Sequence, residues 1–484
     1  MLALLHKNPV YPVQILAWVL LIASCAVGPD YQVPEHNPTT DSPFLNADPE
    51  MDSTISPEIA WWEQIEDATL QSYVETLLKD NLELKEISER IFQANERRII
   101  QSGNYYPSLG SNLRGSRSAQ RFDINNQRFY VNRFDTDLSV SWQLDLFGKI
   151  KRSVESAEAT LQATEAERDA LIHSLIADLA NRRIGISINA RLLELARENA
   201  TNQKILYELI QRRYNLGAHN TAMADVHLAE ENYARVQSEI PGFERLLSNE
   251  LYQLDVLLGK RPGYTNRTTA ASFPLITEPP AIPDVIPLNL LDRRPDLRAS
   301  ELRVRAANAD IGVAIADLYP SLNLSAGIGF SSSVVEDLLD PDQMVGSLVG
   351  SIVQRFFEGG ALRATIRLQE SEMRELALNY SNAILNAIRE VETALKADRE
   401  LSYQLNYESQ TVDALKAAEA IAETRYQQGL QTLQSFLETR QRRYQAEQSW
   451  LRTQQLRWNT RISLYLALGG TIAGGGEQYG KHGN

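Results

Sequence analysis

The chain repeats itself. Asn81-Leu82-Glu83-Leu84-Lys85, Tyr105-Tyr106-Pro107-Ser108-Leu109 and Arg213-Tyr214-Asn215-Leu216-Gly217 occur in that order. A second set follows: Arg294-Pro295-Asp296-Leu297-Arg298, Leu318-Tyr319-Pro320-Ser321-Leu322 and Arg425-Tyr426-Gln427-Gln428-Gly429. The offset is 213 from Leu82 to Pro295 and from Pro107 to Pro320, and 212 from Gly217 to Gly429. A register held this far predicts two structurally equivalent halves, the pattern of repeats that stack or close around an axis.

Each half carries the same succession of periods. Leu70, Val74, Leu77, Leu78, Leu82, Leu84, Ile87 and Ile91 fall mostly at three- and four-residue spacing, which predicts a helix from Trp61 through about Gln101. Within Tyr105–Phe147 the period changes to two: Thr136-Asp137-Leu138-Ser139-Val140-Ser141-Trp142-Gln143-Leu144-Asp145-Leu146 alternates polar and apolar residues, a strand with one face of each kind. The second half repeats this in Leu322–Phe330 and Gly346–Phe357, so each half offers one β-hairpin, with loops around Arg121–Arg128 and Val335–Gln343.

Long helices follow. Lys149–Arg213 contains no proline and only one glycine, Gly185, and Ala361–Gln428 contains neither. At ~1.5 Å per residue the first stretch would run about 98 Å if continuous. Small residues recur along both (Ala157, Ala159, Ala163, Ala166; Ala414, Ala417, Ala418) and permit close helix–helix approach. Each stretch stops at a Tyr-x-x-Gly turn, Gly217 or Gly429, where glycine can take the left-handed helix-ending conformation. A returning helix then runs to Leu257-Leu258-Gly259 or Ala467-Leu468-Gly469. The organisation read from this is a first repeat over 61–260, a Pro- and Thr-rich connector over 261–287, a second repeat over 288–469 and a flexible glycine-rich tail over 470–484.

The start of the chain reads differently. Lys7, the apolar run Ile15–Ser24 and the only cysteine, Cys25, describe a secretory signal over 1–24 whose small residues before Cys25 form a lipobox. A lipid-modified N-terminus would begin at Cys25; the bland alternative is a cysteine serving as a small hydrophobe. Residues 25–60, rich in Pro, Asp, Ser and Thr, read as an extended leader lying on the rest of the protein. A single cysteine excludes an internal disulfide framework.

No later stretch supplies the eighteen apolar residues of a membrane helix, so a membrane crossing would require a closed β-barrel. Four strands per chain cannot close one, because the edges would leave backbone groups unpaired in lipid. Three chains pooling strands give twelve, enough to enclose a lumen. A net charge of −14 argues against nucleic acid as a partner. That charge fits either a solvated acidic surface or an acidic lumen favouring cations. The six histidines form no metal-site spacing, and neither a phosphate-binding Gly-x-x-x-x-Gly-Lys-Ser/Thr loop nor a Gly-x-Ser-x-Gly elbow occurs. The chain therefore reads as no enzyme, without cofactor or metal, and any energy must come from a partner.

At this point the residues resemble a family. Cys25 followed by Gly28-Pro29-Asp30-Tyr31-Gln32-Val33-Pro34, Trp61-Trp62, Tyr106-Pro107-Ser108-Leu109, Leu146-Phe147-Gly148, Arg293-Arg294-Pro295-Asp296-Leu297, Tyr319-Pro320-Ser321-Leu322, Phe357-Glu358-Gly359-Gly360 and Arg425-Tyr426-x-x-Gly429 look like the outer membrane efflux lipoproteins of the TolC/OprM type, the NodT-type channels of RND efflux systems. The resemblance spans essentially the whole mature chain. It implies a mainly α fold with a membrane β-barrel: a trimeric channel-tunnel with four strands per chain, a long α-helical barrel in the periplasm and an equatorial belt. It implies a lipid-anchored outer membrane protein, a passive conduit for drugs or other small toxic compounds, working with a periplasmic adaptor and an inner-membrane RND-type pump. Two alternatives stay open: a duct for type I protein secretion, and a structural coiled-coil lipoprotein with no pore.

The same resemblance assigns sites. Leu216, Gly217, Ala218, Gln428, Gly429 and Leu430 fall at the periplasmic tips, where the family docks its adaptor; the bland alternative is a helix-ending turn. Tyr426 matches the constriction tyrosine, and Glu438, nine residues after Gly429, matches an acid that rings the aperture. On the first tip the nearest acid, Asp225, lies eight residues past Gly217 rather than about six, a two-residue insertion around His219-Asn220. Solvated surface acids are the alternative for both carboxylates.

Overall fold

The structure, a computed structural model, describes residues 26–32, 44–46, 61–65, 67–121, 128–218, 221–265, 278–279 and 294–469. The signal segment, Cys25, most of the leader, His219-Asn220, parts of the connector and the tail lie outside the described residues.

A short 3-10 turn, Trp61–Gln64, precedes α1 (Ala68–Asp80) and α2 (Leu82–Gly103). Strands β1 (Ser108–Arg121) and β2 (Arg128–Leu144) lead into the long helix α3 (Lys149–Asn215), which returns as α4 (Met223–Leu257). The second half repeats the order: α5 (Pro295–Ala316), β3 (Ser321–Ser332), β4 (Met344–Val353), α6 (Ala361–Gln427) and α7 (Leu433–Ala467). The equivalent helices match in length, 67 residues for α3 and α6 and 35 for α4 and α7.

One expectation needs correction: the helix from Trp61 to Gln101 is broken. Asp67 caps α1 by accepting the Thr69 N–H at 3.0 Å. Asn81 then accepts the Leu84 N–H at 3.0 Å while its amide donates to the Leu257 carbonyl at 2.8 Å. A buried side chain that caps one helix and ties it to another element interrupts the periodicity, which the apolar spacing alone does not reveal. The strands also shift: β2 starts at Arg128, well before Thr136, and β4 ends at Val353 rather than Phe357.

The chain forms two compact units, and they are not the two repeats. The first comprises Met1–His36, Glu89–Ala166 and Arg298–Asn382; the second comprises Asn37–Ser88, Glu167–Leu297 and Ala383–Asn484. Each unit draws on both halves of the sequence.

The first unit holds an antiparallel sheet in the order β1-β2-β3-β4. Leu138 opposes Ser111 and Ile328, Val140 opposes Leu109 and Ala326, and Trp142 opposes Leu324. Because side chains alternate, this register gathers Leu109, Leu138, Val140, Trp142, Leu324 and Ile328 on one face, joined by Leu348 opposite Ala326 and Ile352 opposite Leu322. The other face carries Asn112, Asp135, Asp137, Ser139, Ser141 and Asn323, with Asn112 donating to Asp137 at 3.3 Å. The apolar face is uncovered: Leu348 is 82% and Ile352 71% exposed. Aromatic side chains crowd the helix-side end of the sheet, where Trp142 donates to the Tyr105 carbonyl at 2.9 Å and Phe147 stacks on Tyr319 with centroids 4.8 Å apart. An apolar band bordered by aromatic residues is the surface of a sheet that faces lipid.

The second unit is helical, with its core around Trp61, Ile176, Leu179, Leu254, Trp458 and Tyr465. Trp61 stacks on Tyr465 at 5.6 Å and 8°. Two buried ion pairs, Arg183–Asp67 at 2.9 Å and Arg461–Asp398 at 2.7 Å, sit among these apolar residues. Among the described residues no helix is long and apolar enough to cross a membrane.

Candidate functional site

Both helical hairpins turn by the same backbone device. After α3, Gly217 adopts φ +69°, the Ala218 N–H bonds the Arg213 carbonyl at 3.2 Å, and the Gly217 N–H bonds that of Tyr214 at 2.9 Å. After α6, Gly429 adopts φ +75°, Leu430 bonds Arg425 at 2.8 Å, and Gly429 bonds Tyr426 at 2.9 Å. This is the Schellman arrangement, which satisfies the last carbonyls of a helix and favours glycine for its left-handed φ. Beyond this requirement the glycines have free space: a Cβ on either would meet nothing within 4 Å. The tips are also solvent-facing, with Leu216 79% and Leu430 68% exposed. Ala218 and Gln428 are exposed as well.

The helices that leave these turns start in different ways. Thr432 caps α7, accepting the Ser435 N–H on its hydroxyl at 3.3 Å. The equivalent position before α4 is Ala222, which has no acceptor. Asp225 compensates from inside the helix, its carboxylate accepting the Ala222 N–H at 2.8 Å. A carboxylate in the first turn satisfies an orphan N–H and meets the positive end of the helix dipole. Asp225 therefore has a structural task at the first tip. Glu438 has none comparable; it is exposed and accepts a hydrogen bond from Gln434 at 3.1 Å.

Tyr426 points inward along its hairpin. Its ring stacks on Phe436 at 5.9 Å and 8°, within an apolar cluster of Ala422, Leu433, Phe436 and Leu437 backed by Leu206 and Leu209 of α3. The Arg440 guanidinium lies 4.5 Å over the other partner of this stack, Phe436. Arg440 also binds Glu419 at 2.5 Å and Asn202 at 2.9 Å. Arg443 binds both Glu419 and, at 2.7 Å, Glu447. Asn202 extends the network by donating to the Tyr444 hydroxyl at 2.6 Å, and burial pushes that phenol above the usual tyrosine range.

This cluster was not legible from motifs, yet the repeat itself locates it. Glu419 and Arg443 occupy the positions of Tyr207 and Tyr233 in the first half, at offsets of 212 before the turn and 210 after it. There the two tyrosines stack, centroids 6.3 Å apart and 7° from parallel. One hairpin is held by an aromatic pair and the other by a charged node. The structure thus brings Tyr426 beside Phe436 and Arg440, while Glu438 and Asp225 stand on separate hairpins. Among the described residues no group of three or more His, Cys, Asp or Glu side chains gathers as a metal site.

Comparison with known proteins accords with this geometry. The sequence pattern of the family described as Outer membrane efflux protein matches residues 73–260 and 286–470, one segment in each repeat. The chain is 30% identical over 474 residues to nodulation protein T of Rhizobium leguminosarum bv. trifolii, covering 96% of this chain and 97% of that one. It is 29% identical over 423 residues to the pyoverdine export outer membrane protein OpmQ of Pseudomonas putida, covering 86% and 88%. Among solved structures, the outer-membrane channel OprN superposes with a TM-score of 0.78 at 28% identity, covering 92% of this chain and 99% of that one. With its uncovered membrane-type sheet and paired helical hairpins, the chain belongs to the outer membrane efflux protein family and has the protomer fold of the trimeric channel-tunnels.

Proposed function

We propose that three copies of this chain close a twelve-stranded barrel and form the outer membrane duct of a tripartite efflux system. The observation that carries this reading is the sheet. One face is apolar and uncovered, the other is polar across β1–β3 and carries Val345, Val349 and Val353 among the serines of β4, and β1 and β4 stand at its two edges. Such edges are not tolerated in lipid, and pairing β4 of one copy with β1 of the next removes them. The polar face then lines a lumen through which solutes pass without chemistry.

The tips Leu216-Gly217-Ala218 and Gln428-Gly429-Leu430 contact a periplasmic adaptor, which couples the duct to an inner-membrane RND-type pump. Exposed leucines on sharply turned, otherwise unencumbered backbone support this assignment. Tyr426 and Glu438 serve the aperture, with Asp225 contributing on the first hairpin in addition to its cap. Cargo consists of small compounds, the class to which the pyoverdine of one relative belongs. Cys25 carries the lipid anchor.

Purified full-length protein in detergent should run as a heat-resistant trimer and give single-channel currents in planar bilayers. Monomeric, non-conducting protein would overturn the reading.

A further inference from the structure

The apolar side of the sheet carries one charge. Over residues 109–119 and 130–144, and throughout β3 and β4, the charged residues are Arg114, Arg117, Arg133, Asp135 and Asp137. Side chains alternate along each strand, and the pairings Asn112–Asp137, Arg114–Asp135 and Ser116–Arg133 set four of the five on the polar side. There they meet one another: Arg133 binds Asp135 at 2.8 Å, and Arg114 stands opposite Asp135 in the ladder. Arg117 alternates onto the apolar side with Leu109 and Leu113, and no carboxylate pairs with it among the described residues.

Its level on the sheet explains how a guanidinium is tolerated there. Leu109, opposite Val140, starts the apolar band at the helix-side rim. From Leu109 to Arg117 is nine residues, and a tilted strand needs about 9–11 to cross a bilayer. Arg117 therefore reaches the far headgroup level. The repeat gives a second measure, because its offset of 213 puts Phe330 at the place of Arg117. Tyr130, Phe134 and Phe330 form an aromatic border on the apolar side of the sheet, away from the helices. Aromatic girdles mark both interfaces of a membrane barrel, where an outward cation costs far less than at the midplane.

Arg117 is also prepared for a ligand. Its guanidinium lies 4.8 Å from the centroid of the Tyr130 ring, a contact that orients the planar group and leaves its edge N–H groups to donate. Asn132 stands opposite Arg117 in the ladder, and both Asn132 and Tyr130 are exposed. Guanidinium, amide and phenol thus gather on the side that faces lipid.

We propose that Arg117, Tyr130 and Asn132 bind the phosphate of a lipid headgroup in the leaflet away from the helices, one site per copy. Arginine can meet phosphate oxygens with two parallel N–H bonds. The assignment rests on the barrel reading above.

The test uses full-length trimers in detergent, with native mass spectrometry following the binding of added phosphatidic acid. Diacylglycerol with the same chains and inorganic phosphate are the comparison probes. Arg117→Gln should weaken phosphatidic acid binding roughly tenfold, the loss of a charge-assisted contact, while heat-resistant trimers persist. Arg117→Lys should recover part of the loss, and Tyr130→Leu, which keeps the charge, should weaken binding by less. Diacylglycerol should bind wild type and Arg117→Gln alike, and excess inorganic phosphate should leave the lipid in place. Equal phosphatidic acid affinity in wild type and Arg117→Gln would overturn the site. Displacement by inorganic phosphate would overturn the lipid as its occupant. Trimers that fall apart in Arg117→Gln with lipid affinity unchanged would overturn it in favour of a contact between copies. Monomeric wild type would overturn the barrel and the site with it.

Discussion

Asp398 and Arg461 pair inside the second unit, with Arg461 Nη2 2.7 Å from Oδ2 and Nε 3.1 Å from Oδ1, and both residues are buried. Their equivalents in the first repeat are Ile186 and Leu251, which are buried in the apolar core. One half of the molecule thus fills with hydrocarbon a position that the other half fills with an ion pair. Removing one partner leaves the other charge buried, so Asp398→Ile or Arg461→Leu should each destabilise the protein by roughly 3–5 kcal/mol. The double variant Asp398→Ile/Arg461→Leu copies the first repeat and should recover most of that loss. Chemical denaturation of the four proteins gives the cycle; a double variant no better than the singles would refute the equivalence.

Gly217→Val and Gly429→Val test the tips. The left-handed turn makes each substitution cost about 1–2 kcal/mol, but the space around both glycines means no clash within the chain. Heat-resistant trimers should therefore persist while compound export in cells falls to that of a strain without the channel. Trimer loss in both variants would mark the glycines as structural only.

The two aperture acids should separate. Asp225→Ala removes the contact to the Ala222 N–H and should destabilise the chain by about 0.5–2 kcal/mol, read as a lowered melting temperature. Glu438→Gln breaks no comparable contact and should leave melting unchanged while weakening cation preference in planar bilayers. Unchanged selectivity and leak in Glu438→Gln would remove it from the aperture.

His173 should make stability sensitive to acid. It is 4% exposed beside Trp62, its Nδ1 has no hydrogen-bond partner among the described residues, and burial pushes its pKa below the usual histidine value. A folded pKa below the unfolded one means that the neutral ring is favoured by folding. The stabilisation is therefore complete above the unfolded pKa, near 6.5, and is lost as pH falls through the folded value. One proton limits the slope to about 1.4 kcal/mol per pH unit. Melting curves between pH 7 and 5 should show this decline in wild type and a shallower one in His173→Gln.

Much of the architecture was legible because its signals are local. The two-residue alternation around Leu138–Trp142 announces a strand with unlike faces, and the proline-free runs before Gly217 and Gly429 announce unbroken helices. The break at Asn81 was hidden, since its cause is a hydrogen bond to Leu257, far away in sequence. Asp225 shows the same limit at the site. Spacing presents it as an acid near a turn, whereas its bond to the Ala222 N–H shows that it also completes a helix start that alanine cannot cap.

The sequence by itself determined the doubling, the order of hairpins and the Tyr-x-x-Gly turns, all of which rest on backbone rules satisfied within a few residues. Only the tertiary structure decided how the halves differ: tyrosine on tyrosine at 207 and 233, carboxylate on guanidinium at 419 and 443. It also decided that the compact units draw on both repeats. Those outcomes depend on which surfaces meet across hundreds of residues, and burial, charge pairing and close backbone approach settle them only when both sides are in place.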